Sequence, residues 1–236
     1  MFQFKKFSIR QDKTAMKVGT DGVLLGAWAP IDNAPFSILD IGAGTGLIAL
    51  MLAQRTNAEQ IEALEIDSDA FEQCVENFEN SQWNDRLFCF HASLDGFMEE
   101  IEDEEYDIIV SNPPFYSENV SSGDEARDKA RQNNSLPFSD LIEAAALLLS
   151  EDGIFCVIIP YKEEESFTAM AGAQGLFPSK ITRLRGTPET EIKRSLLAFT
   201  RNEAPDFATD ELIIETARHQ YTPEYIALTG EFYIKM

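Results

Sequence analysis

A chain that reads Phe36-Ser-Ile-Leu-Asp-Ile-Gly-Ala-Gly-Thr-Gly46 leaves few folds open. Phe36 to Ile41 has the apolar content of a buried strand, and Leu47 to Gln54 reads as a helix. Between them, Gly42, Gly44 and Gly46 form a tight turn. Strand, glycine-rich turn and helix together make a nucleotide-type site. The glycines let a ligand approach the backbone, and the helix N-terminus favours negative charge. The spacing narrows the choice. A dinucleotide turn of the form G-x-G-x-x-G would want a small residue where Leu47 stands. Here the third glycine falls at Gly46, so the pattern is G-x-G-x-G.

The same alternation continues along the chain. Ile61 to Ile66 is a second strand, and Glu65 near its end can accept both hydroxyls of a ribose. Asp67 and Asp69 cap the helix expected over Ala70–Glu79. Arg86 to His91 is a third strand, which makes His91 a strand residue rather than a catalytic base. Glu99 to Glu105 is an acidic run that reads as a solvated turn. Ile108, Ile109 and Val110 form the β-branched centre of a fourth strand. Phe138 to Leu149 is a helix, Gly153 to Pro160 a fifth strand, and Glu163 to Ala173 a helix ended by Gly175 and Pro178. Lys180–Arg185 and Lys193–Arg201 read as two strands joined by Gly186-Thr-Pro188, forming an antiparallel edge. Asp210 to Thr216 is a short strand, and Pro223 to Thr229 a turn or two of helix. The expectation is a doubly wound, Rossmann-like α/β fold with a mostly parallel seven-stranded sheet and an antiparallel terminal hairpin. At 236 residues this is a single domain, with 1–30 as an N-terminal arm and 202–236 as a C-terminal extension.

Charge limits the partners. Lys+Arg 19 against Asp+Glu 41 gives −22, which opposes indiscriminate nucleic-acid binding. A polyanion remains a possible substrate only if positive residues cluster locally; the alternative is a protein or small-molecule substrate. Local clusters exist. Lys5, Lys6, Arg10, Lys13 and Lys17 meet acids only at Asp12 and Asp21, Arg127, Lys129 and Arg131 stand together, and Lys193 adjoins Arg194. Lys17-Val-Gly-Thr-Asp21 is turn-like, with Asp21 able to cap a short helix from Gly22 to Trp28; read blandly, Lys17 and Asp21 are a solvated charge pair. Cys74, Cys89 and Cys156 are scattered and odd in number, so buried thiols in a reducing cytosol are expected, without disulfides or metal ligands. No stretch approaches the roughly 18 apolar residues of a membrane span, and no signal-peptide core opens the chain. The expected setting is the cytoplasm.

The fourth strand runs into Ser111-Asn-Pro-Pro-Phe115. Pro113 and Pro114 lack a backbone N–H, and each pushes the residue before it out of the helical region. Asn112 is thus held extended at the carboxyl end of a buried strand, where ligands of open α/β sheets sit. Its amide and the Pro113 carbonyl can accept both hydrogens of an exocyclic amine, and Phe115 offers a face for a ring to stack on. The run resembles the signature of methyltransferases that place a methyl from S-adenosyl-L-methionine on an adenine amine or a glutamine amide. Asp40 with Gly42, Gly44 and Gly46 resembles the first motif of the same enzymes.

The resemblance extends further. Met16-Lys-Val-Gly-Thr-Asp-Gly-Val-Leu-Leu-Gly-Ala-Trp28, the glycine turn, Asn112–Phe115 with Glu125–Arg131, and the Tyr221-Thr-Pro-Glu-Tyr to Phe232-Tyr233 ending occur in order. Together they are similar to the bacterial tRNA (adenine-N6) methyltransferases that modify the adenine beside the anticodon of a valine tRNA. That resemblance implies a class I methyltransferase fold, S-adenosyl-L-methionine as cofactor, and a tRNA substrate handled by a monomer. It places Lys17, Thr20 and Asp21 against the methionine end of the cofactor. Many relatives hold the cofactor's adenine with an Asp at the end of the third strand. Here the chain reads His91-Ala-Ser-Leu-Asp95, leaving Ser93 as a substitute. Lys5, Lys6, Arg10, Arg127, Lys129, Arg131, Lys193 and Arg194 are the expected phosphate contacts. The rival reading is a glutamine-amide methyltransferase acting on a protein. Those enzymes usually carry Asn-Pro-Pro-Tyr and a helical domain ahead of the glycine turn, and Phe115 and the short N-terminal segment depart from that. A DNA adenine methyltransferase would carry a target-recognition region that is absent here.

Overall fold

The computed structural model describes residues 1–14, 16–101, 104–114, 136–204 and 206–235. Phe115, Arg127, Lys129 and Arg131 lie outside the described residues.

All eight expected strands form, and the strand expected over Asp210–Thr216 joins the large sheet, which has eight strands instead of seven. In chain order the large sheet is built from β3 (Ser37–Ile41), β4 (Gln60–Glu65), β5 (Leu87–His91), β6 (Tyr106–Ser111), β7 (Leu149–Pro160), β8 (Phe177–Arg185), β9 (Ile192–Thr200) and β10 (Ala208–Ile213). Their spatial order is β10-β8-β9-β7-β6-β3-β4-β5. The pairs β3–β4, β3–β6, β4–β5, β6–β7 and β8–β10 are parallel, while β9 runs antiparallel to both neighbours. The hairpin β8–β9 is therefore not the sheet edge. Ala208–Ile213 pairs alongside β8 and takes that place. Two short hairpins lie apart, β1 (Phe2–Gln3) with β2 (Ser8–Ile9) and β11 (Glu215–Ala217) with β12 (Gln220–Tyr221).

The central strands are apolar on both faces because both faces are covered. On one face α1 (Thr20–Trp28), α2 (Leu47–Arg55) and α3 (Ser68–Glu79) pack over Ile38, Ile61, Ile108 and Val110. On the other, α4 (Leu94–Glu100), α5 (Phe138–Leu148) and α6 (Glu164–Ala173) cover Leu39, Ile109, Val157 and Leu197. Helix α4 replaces part of the expected acidic turn. Ser93 Oγ caps it at 3.1 Å from Gly96 N, and Leu94 and Phe97 are buried beneath Glu99 and Glu100. The acids there face water from a helix that two apolar anchors hold down.

The chain ends meet. Phe4 bridges Tyr233, Lys5 N donates to Phe232 O at 2.8 Å, and the Phe4 ring lies 4.7 Å from Phe7 and 5.7 Å from Tyr233. The N-terminal arm and the segment after α7 (Pro223–Thr229) thus share one aromatic cluster over α1 and α2.

Candidate functional site

The strand order reverses between β3 and β6, since β4 lies on the far side of β3 and β7 on the far side of β6. At such a switch point the loops leave in opposite directions and open a crevice beyond the carboxyl ends of the strands. The glycine turn follows β3 and Asn112 follows β6, so both sequence motifs face that crevice. Their registers match. Ile41 pairs with Ser111, and Ser111 Oγ donates to Ile41 O at 2.8 Å, tying the two strand ends together. Asn112 is half-buried and Pro113 buried.

The glycines divide their work. Gly42, Gly44 and Gly46 all adopt left-handed backbone, with φ of 75°, 58° and 76°. A Cβ at Gly42 or Gly44 would meet nothing within 4 Å, so the space over them is open to a ligand. At Gly46 it would lie 2.5 Å from Phe78 Cε1 and 2.8 Å from Cys74 Sγ. Gly46, expected among the cofactor contacts, also lets the turn close onto α3 and is the N-cap of α2. That helix packing is invisible in a local motif.

Glu65, expected to bind ribose, is held at the end of β4 by backbone N–H groups. Its Oε2 accepts from Gly44 N at 2.7 Å and its Oε1 from Asp67 N at 2.8 Å, leaving further lone pairs toward the crevice. Burial pushes its carboxyl up, and those backbone N–H groups pull it back. Asp67 caps α3 as expected, accepting from Ala70 N at 2.9 Å. Ser93 Oγ is engaged as the α4 cap, which takes one of its acceptor positions. His91 is an exposed strand residue stacked on Phe71, with ring centroids 5.0 Å apart.

Asp40 lies beneath the turn and is fully buried. Oδ2 accepts from Ala49 N at 3.1 Å in the first turn of α2, while Oδ1 has no partner among the described residues. Loss of water pushes this carboxyl up to about 7; the Ala49 N–H opposes that and the Glu65 charge adds to it. Because the folded value lies above the ordinary 3.8, the associated stability is present in full below that value and is lost as pH rises through about 7. Denaturant titrations should therefore show the stability of the wild type relative to Asp40→Asn falling from about pH 4 to about pH 7 and levelling off above that, by at most about 1.4 kcal/mol per pH unit. A difference independent of pH would mean that Asp40 is already charged.

Helix α1 completes the wall of the crevice. Its N-cap is Gly19, without a side-chain cap, and its first residues are Thr20 and Asp21. Asp21 thus sits inside the first turn instead of capping it, and accepts from Arg194 Nε at 2.9 Å. Gly22 brings this turn close, since a Cβ there would lie 3.9 Å from Asn112 Nδ2 and 3.2 Å from Leu47 Cδ2. Lys17 is exposed just ahead of it.

The expected phosphate contacts fall in two places. Lys5, Lys6 and Arg10 line a polar groove of about 400 Å³ with Asn77 and Asn80. Arg10 approaches Glu76 at 3.8 Å, and Lys5 Nζ donates to Gly230 O. Lys193 is exposed beside Arg194. The sequence reading missed Asn77. Its amide accepts from Arg10 N at 2.8 Å and donates to Arg10 O at 3.0 Å and Thr45 O at 2.9 Å, pinning the arm to the glycine turn. Gln73 and Asn77, one helical turn apart on the buried side of α3, were the available signal.

A doubly wound sheet with an open glycine turn, an acid at the end of the neighbouring strand and Asn-Pro-Pro beyond the adjacent one defines a class I methyltransferase. Residues 29–173 match the methyltransferase small domain family. A tRNA1(Val) (adenine(37)-N6)-methyltransferase of Flavobacterium johnsoniae is 70% identical over 236 residues, covering all of both chains. One of Photorhabdus laumondii is 42% identical over 99% of this chain and 95% of its own. The chain belongs to the tRNA1(Val) (adenine(37)-N6)-methyltransferase family. Among solved structures, a predicted O-methyltransferase of Agrobacterium tumefaciens superposes with a TM-score of 0.69 at 21% identity, over 90% of this chain and 96% of its own. A methyltransferase of Pyrococcus furiosus does so with 0.58 at 20%, over 82% and 88%.

No helix among the described residues is long and apolar enough to cross a membrane.

Proposed function

We propose that this chain transfers the methyl group of S-adenosyl-L-methionine to N6 of the adenine beside the anticodon of a valine tRNA, acting as a cytoplasmic monomer. The observation that carries the reading is Asn112, held by Pro113 and Pro114 at the end of β6, tied through Ser111 to the strand that bears the glycine turn. When bound, the cofactor supplies an electrophilic methyl on a sulfonium. The residues present suit it. The open space over Gly42 and Gly44 accommodates its backbone-hugging portion, Glu65 faces the ribose, and the buried carboxyl of Asp40 lies beneath. The uncapped first turn of α1, with Lys17, Thr20 and Asp21, suits the amino-acid end, because free helix N–H groups favour a carboxylate. Ser93 stands near the adenine end.

An adenine amine is a poor nucleophile, since its lone pair is delocalised into the ring. The Asn112 side-chain oxygen and the Pro113 carbonyl accept both amine hydrogens, which favours a pyramidal nitrogen whose lone pair points at the methyl. Positioning and preorganised acceptors do this without a carboxylate base. Phe115, next in the motif, supplies the stacking face for an adenine drawn out of its stack. Lys5, Lys6, Arg10, Lys193 and Arg194, with Arg127, Lys129 and Arg131, contact phosphates. Arg10 exchanges Glu76 for phosphate, at small cost because exposed pairs contribute about 0–1 kcal/mol. Each contact removed should lower the log–log salt slope by about 0.7–0.9.

Labelled cofactor offered with total tRNA, DNA or protein extract tests the reading. Label is expected in tRNA alone. Label in a protein amide would restore the glutamine-amide alternative. For the cofactor half, Glu65→Ala should weaken S-adenosyl-L-methionine by about 10- to 100-fold in calorimetry, as charge-assisted hydrogen bonds of roughly 1.5–3 kcal/mol disappear. Unchanged affinity would remove Glu65 from the site.

A further inference from the structure

We propose that Tyr161 is a stacking platform for the nucleobase that flanks the target adenine, an assignment that rests on the tRNA reading above. The chain leaves β7 at Pro160 and turns through a single 3-10 turn, Tyr161–Glu163, before α6. Position comes first. Pro160 pairs with Arg194 across the β7–β9 ladder, Arg194 holds Asp21, and the next residue, Gly22, faces the Asn112 amide. Tyr161 follows β7 at the carboxyl end of the sheet, one strand from the β6 end that carries Asn112, with its ring against Arg183 on the face that α6 covers, opposite α1.

The ring is large, apolar and 39% exposed. It is also propped. The Arg183 guanidinium lies over one face, 5.5 Å from the centroid. That guanidinium is fixed by Glu164, which accepts from Arg183 Nη2 at 2.7 Å and from Nε at 3.2 Å, and also from Ser195 Oγ at 2.5 Å. Glu164 is itself 9% exposed, so its charge is buried and matched by bonds. Charge-assisted, forked bonds of this kind hold a geometry instead of merely adding charge. A surface tyrosine needs no such support to remain soluble. Backed by a cation on one side and partly exposed, the ring is available to a flat partner. A single-stranded base is such a partner, because every base has a π-face and stacks on aromatic side chains. A base next to an adenine drawn into the crevice loses its own stacking neighbour, and Tyr161 replaces that neighbour.

The test compares wild type with Tyr161→Ala, Tyr161→Phe and Tyr161→Trp on an unmodified valine tRNA transcript. Tyr161→Ala is expected to raise KM for tRNA about 10-fold, within the range of base–aromatic stacking. Its kcat should change less than about two-fold and its calorimetric cofactor affinity not at all, since Tyr161 touches neither reacting atoms nor the glycine turn. Phe and Trp should each restore KM to within about two-fold, because they keep the face. In parallel, 2-aminopurine placed beside the target adenine should be quenched by the wild type and by Tyr161→Phe, and not by Tyr161→Ala. A folded Tyr161→Ala protein with unchanged KM and unchanged quenching would overturn the assignment. So would Tyr161→Phe behaving like Tyr161→Ala, which would make the hydroxyl the working group. If the wild type methylates no tRNA, the underlying reading has failed, and that is visible before any variant is compared.

Discussion

Asn112→Ala is expected to lower kcat by about 10²–10³-fold, the range for losing one preorganised acceptor at the reacting atom. Cofactor affinity should change little, because the proposed cofactor contacts are α1, the glycine turn and Glu65, and Asn112 is not among them. The loss falls on kcat because the bond strengthens only as positive charge develops on the adenine nitrogen. Asn112→Asp is the sharper variant. It keeps an acceptor of nearly the same shape and places a negative charge beside the first turn of α1, where a Cβ at Gly22 would lie 3.9 Å from the amide nitrogen. Single-turnover assays on tRNA separate the chemical step from product release. Near-normal turnover by Asn112→Ala, with a neighbouring acid proving essential, would replace positioning by general-base chemistry.

Gly46→Ala and Gly44→Ala should fail in opposite ways. At Gly46 the new methyl group would overlap Phe78 and Cys74, at 2.5 Å and 2.8 Å, with the backbone at φ 76°. Left-handed backbone costs a non-glycine residue roughly 1–2 kcal/mol, and overpacking a well-filled site a further 1–3 kcal/mol. Gly46→Ala should therefore lose about 2–5 kcal/mol in urea denaturation, enough to unfold a marginal domain. At Gly44 nothing lies within 4 Å, so only the backbone cost applies. Gly44→Ala should stay folded and lose cofactor affinity, as its methyl enters the space over the turn. Equal stability losses in the two variants would contradict this division of labour.

The local signals were carried by residues whose preference needs no partner. Pro113 and Pro114 hold Asn112 extended whatever surrounds them, since the restriction is steric and lies within the residues themselves. Asp67 caps α3 because its own side chain reaches an N–H three residues on, at Ala70. The β-branched run of β6 and the alternation of strand and helix required a parallel sheet covered on both faces. From these followed the fold class and the positions of the glycine turn, Glu65 and Asn-Pro-Pro at the carboxyl end of the sheet. Tertiary structure decided what depends on partners far away in the chain. Asp21 reads as a helix cap until Arg194, 173 residues later, arrives 2.9 Å from it. That Gly46 must also lack a Cβ for packing is invisible until Phe78 and Cys74 fill the space beside it. Asn77 reads as an ordinary helix residue until it binds Arg10 and Thr45 at once. Strand order, the outer position of β10 and the support of Tyr161 by Glu164 through Arg183 belong to the same class. A pattern of residue types specifies which face of an element is buried. It does not specify which distant side chain covers that face, and that pairing emerges only when the layers pack.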